Sequence, residues 1–208
     1  MLRFWWLASL LLVSPVMPAT AQAPPALDCS GPFARTADER AVVAAFGEQH
    51  VARADIPIGE GATEPGTVVF ANDKAKRIDI LWHDPAARAR PAAVIIRGGS
   101  TWRIALAGQR DQSVALGMPL TEIEGLNGRP FSVNGFGWDG GGFAGTWHDG
   151  ALARPSGGCS LTLRFDQAAD APADALDKTN GDIELLSSDP VLRQTRPMVT
   201  EMVLGWPQ

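Results

Sequence analysis

Cys159-Ser160-Leu161-Thr162-Leu163-Arg164-Phe165 alternates apolar and polar side chains without a break. Neighbouring side chains on an extended backbone point to opposite faces, so Cys159, Leu161, Leu163 and Phe165 share one apolar face. A period of two specifies a strand with one side buried. Ile78-Asp79-Ile80-Leu81-Trp82 repeats the pattern and puts Ile78, Ile80 and Trp82 inward. Before it, Thr67 to Phe70 is β-branched and apolar, and Asn72-Asp73 supplies a turn, so the two runs read as a hairpin. Ala93 to Arg97 and Trp102 to Ala107 read as a further strand pair around Gly98-Gly99. Phe131 to Trp138 and Phe143 to Trp147 follow, with a kink at Asn134-Gly135 and a tight turn at Asp139-Gly140. Met198 to Trp206 closes the set.

Helical signals are short. Thr36-Ala37-Asp38-Glu39 has the hydroxyl and carboxylate spacing of a capping box, Val42, Ala45 and Phe46 share a face, and Gly47 ends the segment. A second helix opens at Gly117-Met118-Pro119 and runs through Ile123 and Leu126 to Gly128. Ser188-Asp189-Pro190 caps a third, and Gln167 to Lys178 reads as a solvated acidic loop. Few short helices among many strands predict an α+β fold, antiparallel sheet with the helices packed on one face.

Trp82-His83-Asp84 and Trp147-His148-Asp149 each follow a glycine-terminated helix signal. The coincidence predicts a diverged duplication, residues 34–107 and 113–208, in which the tripeptide is a strand end used twice. Gly117-Met118, Glu122-Ile123, Leu126, Gly128 and Pro130 resemble the helix signature of BamE-like envelope proteins and β-lactamase inhibitor protein repeats. That resemblance implies helices on an antiparallel sheet, tandem units and a surface that binds other proteins. Trp138-Asp139-Gly140-Gly141-Gly142 also resembles a hairpin of uncharacterised exported bacterial proteins.

Arg3 precedes an apolar run from Phe4 to Val13, followed by small residues suited to cleavage, so residues 1–23 read as a secretory signal and 24–208 as the exported chain. The run is too short to span a bilayer, no later stretch is apolar enough, and no cysteine stands at the cleavage site for a lipid anchor. The expected location is the periplasm or the medium. Cys29 and Cys159 are the only cysteines, and an even pair in an exported chain predicts a disulfide. The formal net charge of −5 disfavours a nucleic acid or an anionic membrane as partner.

No catalytic signature emerges. His50, His83 and His148 are the only histidines, and an adjacent aspartate on a strand faces the wrong way to orient one. Gly98-Gly99-Ser100 lacks the second glycine of a nucleophile elbow, and the acidic stretch from Asp166 to Glu184 lacks calcium-loop spacing, so no cofactor and no metal are expected. Trp138 and Asp139, with His83 and His148, are the contact candidates. The leading expectation is a non-enzymatic protein-binding module of the envelope, partner unidentified. The alternative is a small hydrolase or metal-binding enzyme using His83 and His148.

Overall fold

A computed structural model describes residues 26–107, 112–155 and 157–207; the expected signal at 1–23 lies outside them. In chain order the elements are β1 (Ala26–Leu27), α1 (Glu39–Phe46), β2 (Val51–Gly59), β3 (Ala62–Val69), β4 (Ile78–Asp84), β5 (Ala89–Arg97), β6 (Arg103–Ala105) and β7 (Ser113–Ala115). There follow α2 (Leu120–Asn127), β8 (Ser132–Asn134), β9 (Phe143–Ala144), β10 (Ser160–Asp166), α3 (Ala173–Thr179), β11 (Glu184–Leu186), α4 (Pro190–Gln194) and β12 (Met198–Gly205). The fold is α+β. Its main sheet is antiparallel, in the order β2-β3-β4-β5-β12-β10-β9, with small sheets β1-β6-β7 and β11-β8 beside it.

The alternation in β10 and β4 decides which side of the main sheet is buried. Leu161, Leu163 and Phe165 join Ile78, Ile80 and Trp82 in one apolar cluster, with Val42 of α1, Leu120 and Ile123 of α2 and Leu192 of α4. The helices therefore cover this face. On the other face a small cluster of Ile56, Val68 and Ile95 forms where the β2–β3 hairpin bends over the sheet. Arg97 Nη2 donates to the Pro57 carbonyl and the Glu60 amide to Asp139 Oδ2, which tie down the hairpin's far end.

Cys29 and Cys159 form a disulfide with Cα atoms 6.0 Å apart across 130 residues, joining the chain after β1 to the start of β10. No helix of the described residues is long and apolar enough to cross a membrane.

Several local expectations are corrected. The N-cap of α1 is Asp38, whose carboxylate accepts from the Ala41 amide, and not Thr36. Glu39 turns instead toward the sheet and accepts from Thr67 Oγ1, which in turn accepts from the Trp82 indole. Ala45 is exposed; Val42 and Phe46 make the apolar contact. Gly98-Gly99 is not a hairpin turn, because β6 leaves the main sheet to pair with β1 and β7. The acidic stretch after β10 contains α3, anchored by buried Ala175 and Thr179. β2 carries little alternation and mostly exposed residues, so its sequence gave no strand signal.

The expected duplication is not carried by the chain path. After Gly47 four consecutive strands form one meander, whereas after Gly128 the chain divides its strands between two sheets. The tripeptides differ as well. Trp82-His83-Asp84 is extended within β4, but His148 and Asp149 have φ of 49° and 62°, a left-handed turn. Asn127 holds that turn by donating to the Trp147 carbonyl and accepting from the Leu152 amide. Both tryptophans do point inward, with 4% of each exposed.

Candidate functional site

The partly open face of the main sheet carries a row of side chains that runs straight across four strands. Arg97 of β5 lies opposite Glu201 of β12, Glu201 opposite Arg164 of β10, and Arg164 opposite Phe143 of β9. Directly opposed residues on one face of a sheet are in side-chain reach, so the register alone builds this row. Arg97 Nη1 stands 3.5 Å from Glu201 and its Nη2 3.3 Å from Asp79, which also takes Arg77 Nε at 2.8 Å. Asp79 is 2% exposed, and its buried charge is matched by two partly exposed guanidiniums. Burial pushes the Glu201 carboxyl above its ordinary range, and the charges of Arg97 and Arg164 only partly offset that.

Arg164 stands differently from its neighbours. Its guanidinium lies over the Phe143 ring, 5.0 Å from the centroid, and its Nε donates to the Gly141 carbonyl at 3.1 Å. Among the described residues its two Nη groups have no hydrogen-bond partner and no carboxylate within 4.0 Å. Arg77 and Arg97 thus pair with Asp79 and Glu201, while Arg164 lies opposite Glu201 without an ion pair.

A cleft over this row is lined by Phe136, Gly137, Trp138 and Gly141 together with Asp166, Gln167, Leu176 and Asn180. The cleft encloses about 600 Å³, inside the range of small-ligand and peptide-anchor pockets. Trp138 is 43% exposed, while Trp82, Trp102, Trp147 and Trp206 are each under 10%. Its indole N–H donates to the Gly135 carbonyl at 2.9 Å, and its six-membered ring rests on Gly140, where any Cβ would collide with it. The ring is thus fixed in place with a large open surface, a rigid amphipathic platform. Asp139 is occupied by the Glu60 amide of the hairpin tip at 2.6 Å and serves to position that arm.

The two histidines lie elsewhere. His83 Nε2 is 2.7 Å from the Trp206 carbonyl; a carbonyl only accepts, so Nε2 carries the proton. His148 Nε2 meets Ser132 Oγ at 3.0 Å. No hydrogen bond or ring contact joins the two imidazoles among the described residues, and no three His, Cys, Asp or Glu residues there are grouped to hold a metal.

Of the sequence candidates, the structure brings Trp138 to the cleft, sets Asp139 against the Glu60 amide of the hairpin tip, and leaves His83 and His148 outside the cleft. Arg97, Arg164 and Glu201 were missed. Arg164 was in view as the polar partner of the clearest alternation in the chain, but only the pairing of β5, β12 and β10 shows that three charges from distant segments meet. No family model matches the sequence, and no curated protein or solved structure matches it.

Proposed function

We propose that the chain is an exported, non-enzymatic protein-binding module of the bacterial envelope, an inhibitor, assembly or accessory factor whose contact surface is the cleft beside Trp138. One observation carries the reading: Trp138 alone among the five described tryptophans is substantially exposed, and its ring is braced by Gly135 and Gly140 at the edge of a charged cleft. Large rigid aromatics beside arginine dominate the energetics of protein contacts because they bury much area for little lost side-chain freedom. The disulfide suits an oxidising compartment outside the cytoplasm.

The reading is tested by affinity capture from envelope extract of the producing cell. Baits are the oxidised chain from residue 24, the same chain with Trp138→Ala, and the same with His148→Ala. A protein retained by the first and third baits and lost with the second is the expected result. Equal retention by all three baits removes Trp138 from the contact surface, and loss with His148→Ala alone moves the surface to the His148 turn.

A further inference from the structure

We propose that the cleft beside Trp138 is a carboxylate-binding pocket in which Arg164 receives the carboxylate and Trp138 covers an adjoining apolar group. The inference rests on the binding reading above and names the chemistry of what is bound.

Arg164 is held from two sides but leaves its forked end unused. Phe143 supports the guanidinium plane, and Nε is committed to the Gly141 carbonyl. Arg164 lines the cleft, and its remaining Nη donors have no protein acceptor among the described residues. A planar fork of parallel N–H donors fits a carboxylate with two hydrogen bonds, and charge-assisted bonds of this kind are about twice as strong as neutral ones. Because Gly141 belongs to the same loop as Trp138, the bond from Nε also ties that loop to the sheet beside the cleft.

The other charges in the row leave Arg164 as the receptor. Arg97 is spread over Asp79, Glu201 and the Pro57 carbonyl, so it orders the row and has little left for a ligand. Glu201, opposite Arg164, repels an incoming anion, and Asp166, which also lines the cleft, has one oxygen engaged by the Gln167 amide. Counted with Asp166, the carboxylates equal the guanidiniums, so the pocket attracts an anion through the uncommitted Nη donors of Arg164 and not through a net positive charge. The volume, about 600 Å³, admits a carboxylate with a ring or a short peptide behind it. Such a group is supplied by the terminal residue of a polypeptide or by a free organic acid; both present the same chemistry.

The test uses the oxidised chain from residue 24 and follows the Trp138 indole N–H resonance, assigned with Trp138→Phe. Four probes are titrated: N-acetylphenylalanine, its amide, acetyl-Ala-Ala-Ala-Phe with a free carboxylate, and the amide of that peptide. We expect each acid to bind at least about tenfold more tightly than its amide, the difference expected of a hydrogen bond to a charged partner. Arg164→Gln removes this preference. Glu201→Gln increases it, a gain that a merely unfolded loop would not produce. A peptide acid that binds well above the single amino acid assigns the pocket to a chain terminus; equal affinity assigns it to free acids. Acids and amides binding alike, or none binding at the solubility limit of the probes, overturns the proposal. If the acids bind while capture is indifferent to Trp138→Ala, the protein-binding reading fails and the pocket stands. If capture depends on Trp138 but acid and amide are equivalent, the carboxylate inference alone fails.

Discussion

Replacing Thr67 with valine removes one oxygen from the centre of a relay that joins α1 to the main sheet. The Trp82 indole donates to Thr67 Oγ1 at 3.0 Å, and that hydroxyl donates to Glu39 Oε1 at 2.9 Å. Thr67 is 0% and Trp82 4% exposed, so water does not replace the lost partner. An orphaned buried donor costs about 1–3 kcal/mol, and the lost bond to a charged acceptor adds to this. Glu39 keeps Arg53 at 2.9 Å and Arg88 at 3.4 Å, which holds that second contribution near its lower limit. The extra buried methyl of valine returns about 0.8 kcal/mol. The net loss is about 2–3 kcal/mol. With a urea dependence of about 2 kcal/mol per molar, the unfolding midpoint falls by about 1 M. Thr67→Ser keeps the hydroxyl and restores most of it. In a Trp82→Phe background the same valine costs clearly less, because the donor it would orphan is gone. A Thr67→Val midpoint within about 0.2 M of the parent, or a serine variant as weak as valine, would refute the relay.

Further outcomes are expected from the same physical arguments. Arg53 and Thr67 hold Glu39 below its ordinary carboxyl range against the opposing effect of burial, so its stabilisation is present above the unfolded value and is lost as pH falls through the folded one. Glu39→Gln should therefore flatten the acid limb of a pH–stability curve, measured by urea midpoint at pH 7, 5 and 4. Replacing Cys29 and Cys159 with alanine together removes a cross-link spanning 130 residues. In the chain-entropy account this is about 5 kcal/mol, read as a large drop in calorimetric Tm that reductant reproduces in the parent. Gly150→Ala drives a Cβ into the buried Asn127 amide, which ties α2 to the His148 turn, and should cost about 1–3 kcal/mol by denaturation. Acrylamide should quench mainly Trp138, and Trp138→Phe should abolish most of the quenchable emission, because the other four described tryptophans are buried.

The sequence disclosed what rests on local period. Cys159 to Phe165 and Ile78 to Trp82 show their faces because one side of each strand meets the core and the other does not. It failed where a neighbour overrode the local preference. Glu39 reads as a capping-box partner, yet the Thr67 hydroxyl, itself held by the buried Trp82 indole, takes its carboxylate instead. β2 is an edge strand whose residues mostly face solvent, so it lacks a hydrophobic period. The repeated Trp-His-Asp was misleading because three residues do not specify backbone: in one place a β5 partner keeps them extended, in the other Asn127 captures a turn. Trp138 could be singled out by its glycine-rich surroundings. The charges below it could not, since Arg97, Arg164 and Glu201 become neighbours only through the strand order β5-β12-β10.

The central claim is that partners meet this protein at Trp138. It is tested most directly by placing the photoreactive residue p-benzoylphenylalanine at position 138 or at position 148 and irradiating intact producing cells. The account predicts a discrete protein adduct from position 138 that weakens with Arg164→Gln, and none from position 148. An adduct from position 148, or from neither position, would contradict it.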